Sequence, residues 1–221
     1  MNRYFSPAIL AALLLNSCLG STGKMVLNPA EMQGISEAPY IITDHKNIAR
    51  EEEMPDWVIA FIDEGVTGVE ALGAFQDRYV FIARNEGTNF DAMKYWISGF
   101  DVELDYPRLA AARIEARFFS VAPLPDQEYG AFFEELIRTA SDYQWTSAVR
   151  MDDFWIRKNY IPMEDESERE AWEFMILLTI DKTTFYYQLE TVFKNAKPNP
   201  PPTKDQANAI ARVKERFFEG F

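Results

Sequence analysis

The run Trp172-Glu173-Phe174-Met175-Ile176-Leu177-Leu178-Thr179-Ile180 is apolar at nearly every position. It is too short for a typical buried helix and rich in aromatic and branched residues. A strand covered on both faces produces that pattern, so it reads as a central strand. Upstream, Val149-Arg150-Met151-Asp152 alternates as a half-buried strand does. Phe154-Trp155-Ile156 interrupts the alternation and is read as a bulge. The acidic stretch from Pro162 to Arg169 connects the two runs. The expectation is a long antiparallel hairpin of roughly Val149–Arg157 with Trp172–Ile180.

Amphipathic helices flank this hairpin. Tyr129, Phe132, Phe133, Leu136, Ile137 and Ala140 recur at three-and-four spacing, with Asp126 as the expected cap. Thr183 or Thr184 is expected to cap a helix that turns Phe185, Leu189, Val192 and Phe193 inward. Thr88-Asn89-Phe90-Asp91 is a helix start, followed by Met93, Trp96, Ile97 and Phe100 on one face. Pro107 is expected in the first turn of a further helix, with Leu109, Ala112, Ala116 and Phe119 on its inner face. Pro123 and Pro125 end that helix. The class that follows is α+β: a small, mainly antiparallel sheet packed against several amphipathic helices.

Toward the amino end, Trp57-Val58-Ile59-Ala60-Phe61-Ile62 reads as a buried strand, broken by Gly65 and Gly68. Val69 to Phe75 reads as a short helix. Tyr79-Val80-Phe81-Ile82-Ala83 is another strand, and Asn85-Glu86-Gly87 is a turn. Met25 to Ile48 lacks a sustained period and reads as a loop, closed by the charge run Glu51-Glu52-Glu53. At the carboxyl end, Pro198-Asn199-Pro200-Pro201-Pro202 is a stiff spacer. Thr203-Lys204-Asp205-Gln206 then forms a capping box. Its helix presents Ala207, Ile210, Ala211, Lys214, Phe217 and Phe218 on one face, with Phe221 just beyond. Such a helix is marginal alone in water. It is expected either to fold back on its own domain or to dock on a partner.

The first residues carry an address. Arg3 precedes an apolar run from Pro7 to Leu15, which ends in Asn16-Ser17-Cys18. A basic start, a short apolar core and small residues at its end form a secretory signal. The run falls short of the roughly 20 residues needed to span a bilayer. Leu15-Asn16-Ser17-Cys18 resembles the bacterial lipobox. That resemblance implies cleavage before Cys18, diacylation of its thiol and acylation of the new amino group. Two or three acyl chains give stable anchoring where one chain is reversible. No acidic residue directly follows Cys18, and within such lipoproteins this implies the outer membrane. The expected organisation is a signal over residues 1–17 and a lipidated tether and loop over 18–53. An α+β domain follows over 54–196, then the spacer and helix over 197–221.

Cys18 is the only cysteine, so no intramolecular disulfide is available. Apolar residues make up 48% of the chain and aromatics 14%, which excludes a disordered polymer. The net charge of −13 argues against nucleic acid as a partner, because phosphate contacts need a basic patch. It also argues against a polybasic surface for anionic lipid. The expected partners are the membrane, through acyl chains on Cys18, and an envelope protein or a second copy of the chain.

Little in the sequence points to catalysis. The sole histidine, His45, reads as a surface loop residue. Nucleophile-elbow, phosphate-loop and zinc signatures are missing, so neither a cofactor nor a metal site is expected. Two carboxylate pairs, Asp152-Asp153 beside Trp155 and Glu134-Glu135, could in principle hydrolyse glycan. Neighbours on a strand point to opposite faces, however, and Glu134-Glu135 borders the polar face of its helix.

The order of elements from residue 54 to about 190 resembles the LPP20-like lipoproteins of the bacterial envelope. Pro55-Asp56-Trp57-Val58, the Ala-rich stretch Leu109 to Arg117, and the pair Arg150 to Arg157 with Trp172 to Leu189 carry the likeness. It implies a structural or assembly role and supplies no catalytic residues. The expected function is therefore a lipid-anchored, non-catalytic envelope protein acting through protein contacts. The alternative is an envelope enzyme on cell-wall glycan.

Overall fold

The computed structural model describes residues 39–122, 129–162, 167 and 169–219. Its fold is α+β: a four-stranded antiparallel sheet with helices on both faces. The strands are β1 (Tyr40–His45), β2 (Arg78–Gly87), β3 (Val149–Tyr160) and β4 (Arg169–Asp181), in the order β1-β3-β4-β2. The helices are α1 (Asp56–Ala71), α2 (Phe90–Gly99), α3 (Val102–Val121), α4 (Gly130–Asp142), α5 (Lys182–Asn195) and α6 (Lys204–Phe218).

The expected hairpin is the middle of the sheet. Phe154 pairs with Met175 and Asp153 with Ile176, and β4 lies between β3 and β2. From Phe174 to Ile180 every β4 residue is buried. Met175 and Leu177 face α1 with Val80, Ile82, Phe154 and Ile156. Phe174, Ile176, Leu178 and Ile180 face the other five helices in a second, larger core. Burying both faces explains why β4 lacks alternation. The bulge in β3 falls between Arg150 and Asp152, upstream of the position read from the sequence.

Several expectations are corrected. Residues 57–62 are helical, not a strand. The six-residue run fits either period, and the helical one turns Trp57, Val58 and Phe61 inward while Ile59 stays 41% exposed. Gly65 does break the element, with φ 69° and ψ −157°, but the chain resumes helix to Ala71. Residues 73–75 form a 3-10 turn. Part of the expected loop is β1, an edge strand with Tyr40 and Ile42 half-buried and Ile41 and Thr43 exposed. The folded unit therefore extends upstream of residue 54. Residues 85–87 continue β2, held in register by Glu173 and Phe174.

Helix ends differ too. Asp101, whose carboxylate accepts from Glu103 N–H at 2.9 Å, caps α3, so Pro107 lies inside the helix. The buried face of α3 is Tyr106, Leu109, Ala110, Ala111, Ile114 and Phe118, rotated from the expected one. Both α4 and α6 also pack on α3, so its apolar positions are spread around the helix. Asp181, not a threonine, caps α5 by accepting from Thr184 N–H at 2.8 Å. Asn89 caps α2, and Thr203 with Gln206 forms the expected capping box of α6. The expected cap Asp126 lies outside the described residues, as do residues 1–38, Pro123, Pro125 and Phe221.

Two glycines let α1 turn back on itself. The backbone angles of Gly65 belong to a region that other residues adopt only at a cost of about 1–3 kcal/mol. A Cβ on Gly68 would lie 2.7 Å from the Ala60 carbonyl oxygen and from Glu64 Cβ. Gly65→Ala and Gly68→Ala are each expected to lower the denaturant midpoint. Gly73→Ala, with nothing within 4 Å of its Cβ, is expected to leave it near the native value. Equal midpoints for all three variants would contradict the close packing at the kink.

Candidate functional site

Cys18, the one expected modification site, lies outside the described residues.

His45 ends β1 instead of lying in a loop. Its ring stacks on Phe154 at 6.0 Å, and its backbone N–H donates to Asp44. Asp152 and Asp153 follow the β3 bulge and turn to opposite faces. Asp152 Oδ2 accepts from Trp57 Nε1 at 3.0 Å, on the α1 side. Asp153 accepts from Lys46 Nζ at 2.8 Å and Arg150 Nη2 at 2.9 Å. Arg150 in turn donates to the Ile97 carbonyl of α2, which fixes this pair on the other face. Burial pushes the Asp153 carboxyl up, but the two cations outweigh it and hold the group below the usual aspartate range. Glu135 pairs with Arg138 on the surface of α4 while Glu134 is exposed. The two carboxylate pairs are thus split between different elements, and three of the four groups hold structural partners.

A different charged group, not singled out by the sequence, lies on the α1 face beyond the end of the apolar core. Along β2 the buried positions Val80 and Ile82 are followed by Arg84 and Glu86. Along β3, Phe154 and Ile156 are followed by Lys158 and Tyr160, and on β4 Met175 is preceded by Glu173. Glu86 and Glu173 stand directly opposite each other on β2 and β4. Like charges in that relation repel. Lys158 lies diagonal to Glu173 across the β3–β4 pair and bridges both carboxylates, contacting Glu173 closely and Glu86 at 3.3 Å. Arg84 adds a contact to Glu173 at 3.4 Å, and Arg169 one to Glu86 at 3.5 Å. Tyr160 donates its hydroxyl hydrogen to Glu86. The Lys158 ammonium lies 4.3 Å from the Tyr40 ring centre.

The chemistry of this group is that of a fixed ion cluster. The side chains of Lys158 and Glu173 are 2% and 4% exposed. Burial alone would push the lysine down, as a nucleophilic or Schiff-base lysine needs. The Glu173 carboxylate, with Tyr40 and Glu86, overcomes that and holds the ammonium above its ordinary value. Burial and the bond to Glu86 likewise hold the Tyr160 hydroxyl protonated. Through these contacts Lys158 and Tyr160 of β3 tie together Glu86 of β2 and Glu173 of β4. The one available signal was a charge placed at the buried parity of each strand, with Lys158 between Ile156 and Tyr160.

Among the described residues no helix is long and apolar enough to cross a membrane, and no cluster of side chains is arranged to hold a metal ion. Comparison with protein-family models, curated proteins and solved structures found no match.

Proposed function

We propose that this chain is a lipid-anchored, non-catalytic protein of the bacterial envelope, held at the outer membrane and acting through protein contacts. The observation that carries the reading is Leu15-Asn16-Ser17-Cys18 at the end of a signal-like run, with Cys18 the sole cysteine. The likeness of residues 54–190 to LPP20-like lipoproteins supports a structural or assembly role. The competing reading, a glycan-cleaving enzyme, has less support. It needs two cooperating carboxylates on one substrate bond, whereas Asp152 and Asp153 are tied to Trp57 and to Lys46 with Arg150 on opposite faces.

Cys18→Ser is expected to abolish incorporation of labelled fatty acid and to move the protein out of the detergent phase on phase separation. A variant that still takes up the label and still partitions with detergent would sink the lipoprotein reading. Release of soluble fragments from purified cell wall by the native protein would favour the enzyme instead.

A further inference from the structure

The outer edge of β2 offers a strand-pairing surface. Lys182 N–H donates to the Asp77 carbonyl at 3.1 Å, so in this register the odd residues of β2 turn their backbone groups toward β4. The even residues turn theirs outward. At Val80 that outward pair is sealed. Its N–H donates to Glu70 at 2.8 Å and its carbonyl accepts from Arg113 at 3.1 Å, while Glu70 and Arg113 bind each other across the sheet edge. Ile82, Arg84 and Glu86 present the same outward groups, and among the described residues none bonds to them. The opposite edge is less suited to addition. β1 is short, is bulged between Ile42 and Asp44, and has its His45 N–H taken by Asp44.

The side chains along the β2 edge name an occupant. Arg84 and Glu86 have opposite charge, share a face and stand at equal distance from Asn85. We propose that two copies of this chain pair through β2, antiparallel about a twofold axis at Asn85. Arg84 of each then faces Glu86 of the other, and these residues exchange backbone hydrogen bonds. Across the axis the charges alternate. Glu173 and Arg84 of one copy meet Glu86 and Lys158 of the second, extending the ion cluster already present in each sheet. The inference rests on the sheet alone, and Cys18 lipidation stands or falls separately.

Asn85 of the two copies would form a non-hydrogen-bonded pair, with Cα atoms about 4.5 Å apart, within disulfide reach. The full chain in detergent, carrying Asn85→Cys with and without Cys18→Ser, is expected to give a covalent dimer under mild oxidation. In the unsubstituted chain, hydrogen exchange at the Ile82, Arg84 and Glu86 amides is expected to slow as protein concentration rises. A monomer at every concentration overturns the proposal. So does a dimer in which the introduced thiols stay free, or protection of these amides that is independent of concentration.

Discussion

Phe217→Ala is expected to cost about 3–5 kcal/mol of stability, as truncating a buried phenylalanine does. Phe217 is fully buried, its ring 4.8 Å from that of Phe193 on α5. Phe218 packs on Phe193 and Tyr186. Two of the last carbonyls of α6, which no helix can satisfy internally, are also taken. Arg117 of α3 donates to the Phe217 carbonyl at 3.2 Å and to that of Arg216 at 2.9 Å. The proline-rich spacer therefore leads α6 back onto α3 and α5. Deleting residues 203–221 should expose the Phe193 surface, lower the melting temperature sharply and increase dye binding to apolar surface. A truncated chain that melts like the native one would show that α6 is dispensable to the core.

The sequence resolved this architecture where burial left a strong pattern. β4 was legible because a strand covered on both faces is apolar at consecutive positions. The helices α4 and α5 were legible because each has one inward face, with Leu136 and Leu189 at its centre. Residues 57–62 were misread because six apolar residues cannot separate a period of two from one of 3.6. What decided them was packing: α1 lays Trp57 and Phe61 on the same sheet face as Met175 and Leu177. β1 was missed because its exposed Ile41 is as apolar as the half-buried Tyr40 and Ile42, so the short edge strand shows no alternation. The ion cluster was illegible for another reason. Glu86, Lys158 and Glu173 are far apart in the chain and meet only through strand register, which the sequence leaves open until pairing is known. By contrast, the separation of Asp152 from Asp153 followed from strand geometry alone.

Lys158→Met tests the cluster most severely, and a loss of about 3–5 kcal/mol is expected. The substitution keeps an unbranched apolar stem without the ammonium and leaves Glu173, 4% exposed, facing Glu86 directly across the β2–β4 pair. Arg84 at 3.4 Å remains as the only cation within reach of Glu173 among the described residues. The cost comes from a buried carboxylate left with the longer Arg84 contact alone, rather than from the value of the ion pair itself, since burying both ions in the first place is nearly neutral. Removing the second charge should therefore restore stability. The double variant Lys158→Met/Glu173→Leu is expected to recover most of the loss in denaturant titrations with an unchanged slope. Equal loss in the single and double variants would mean that packing around Lys158, and not charge, is what matters there. The pH dependence follows from the same contacts. Because the folded protein holds the Lys158 ammonium above its ordinary value, the lysine's contribution is fully present below roughly pH 10.4 and is lost only as pH rises through the higher, folded value. The difference between native protein and Lys158→Met should accordingly shrink in strong alkali, where the ammonium loses its proton.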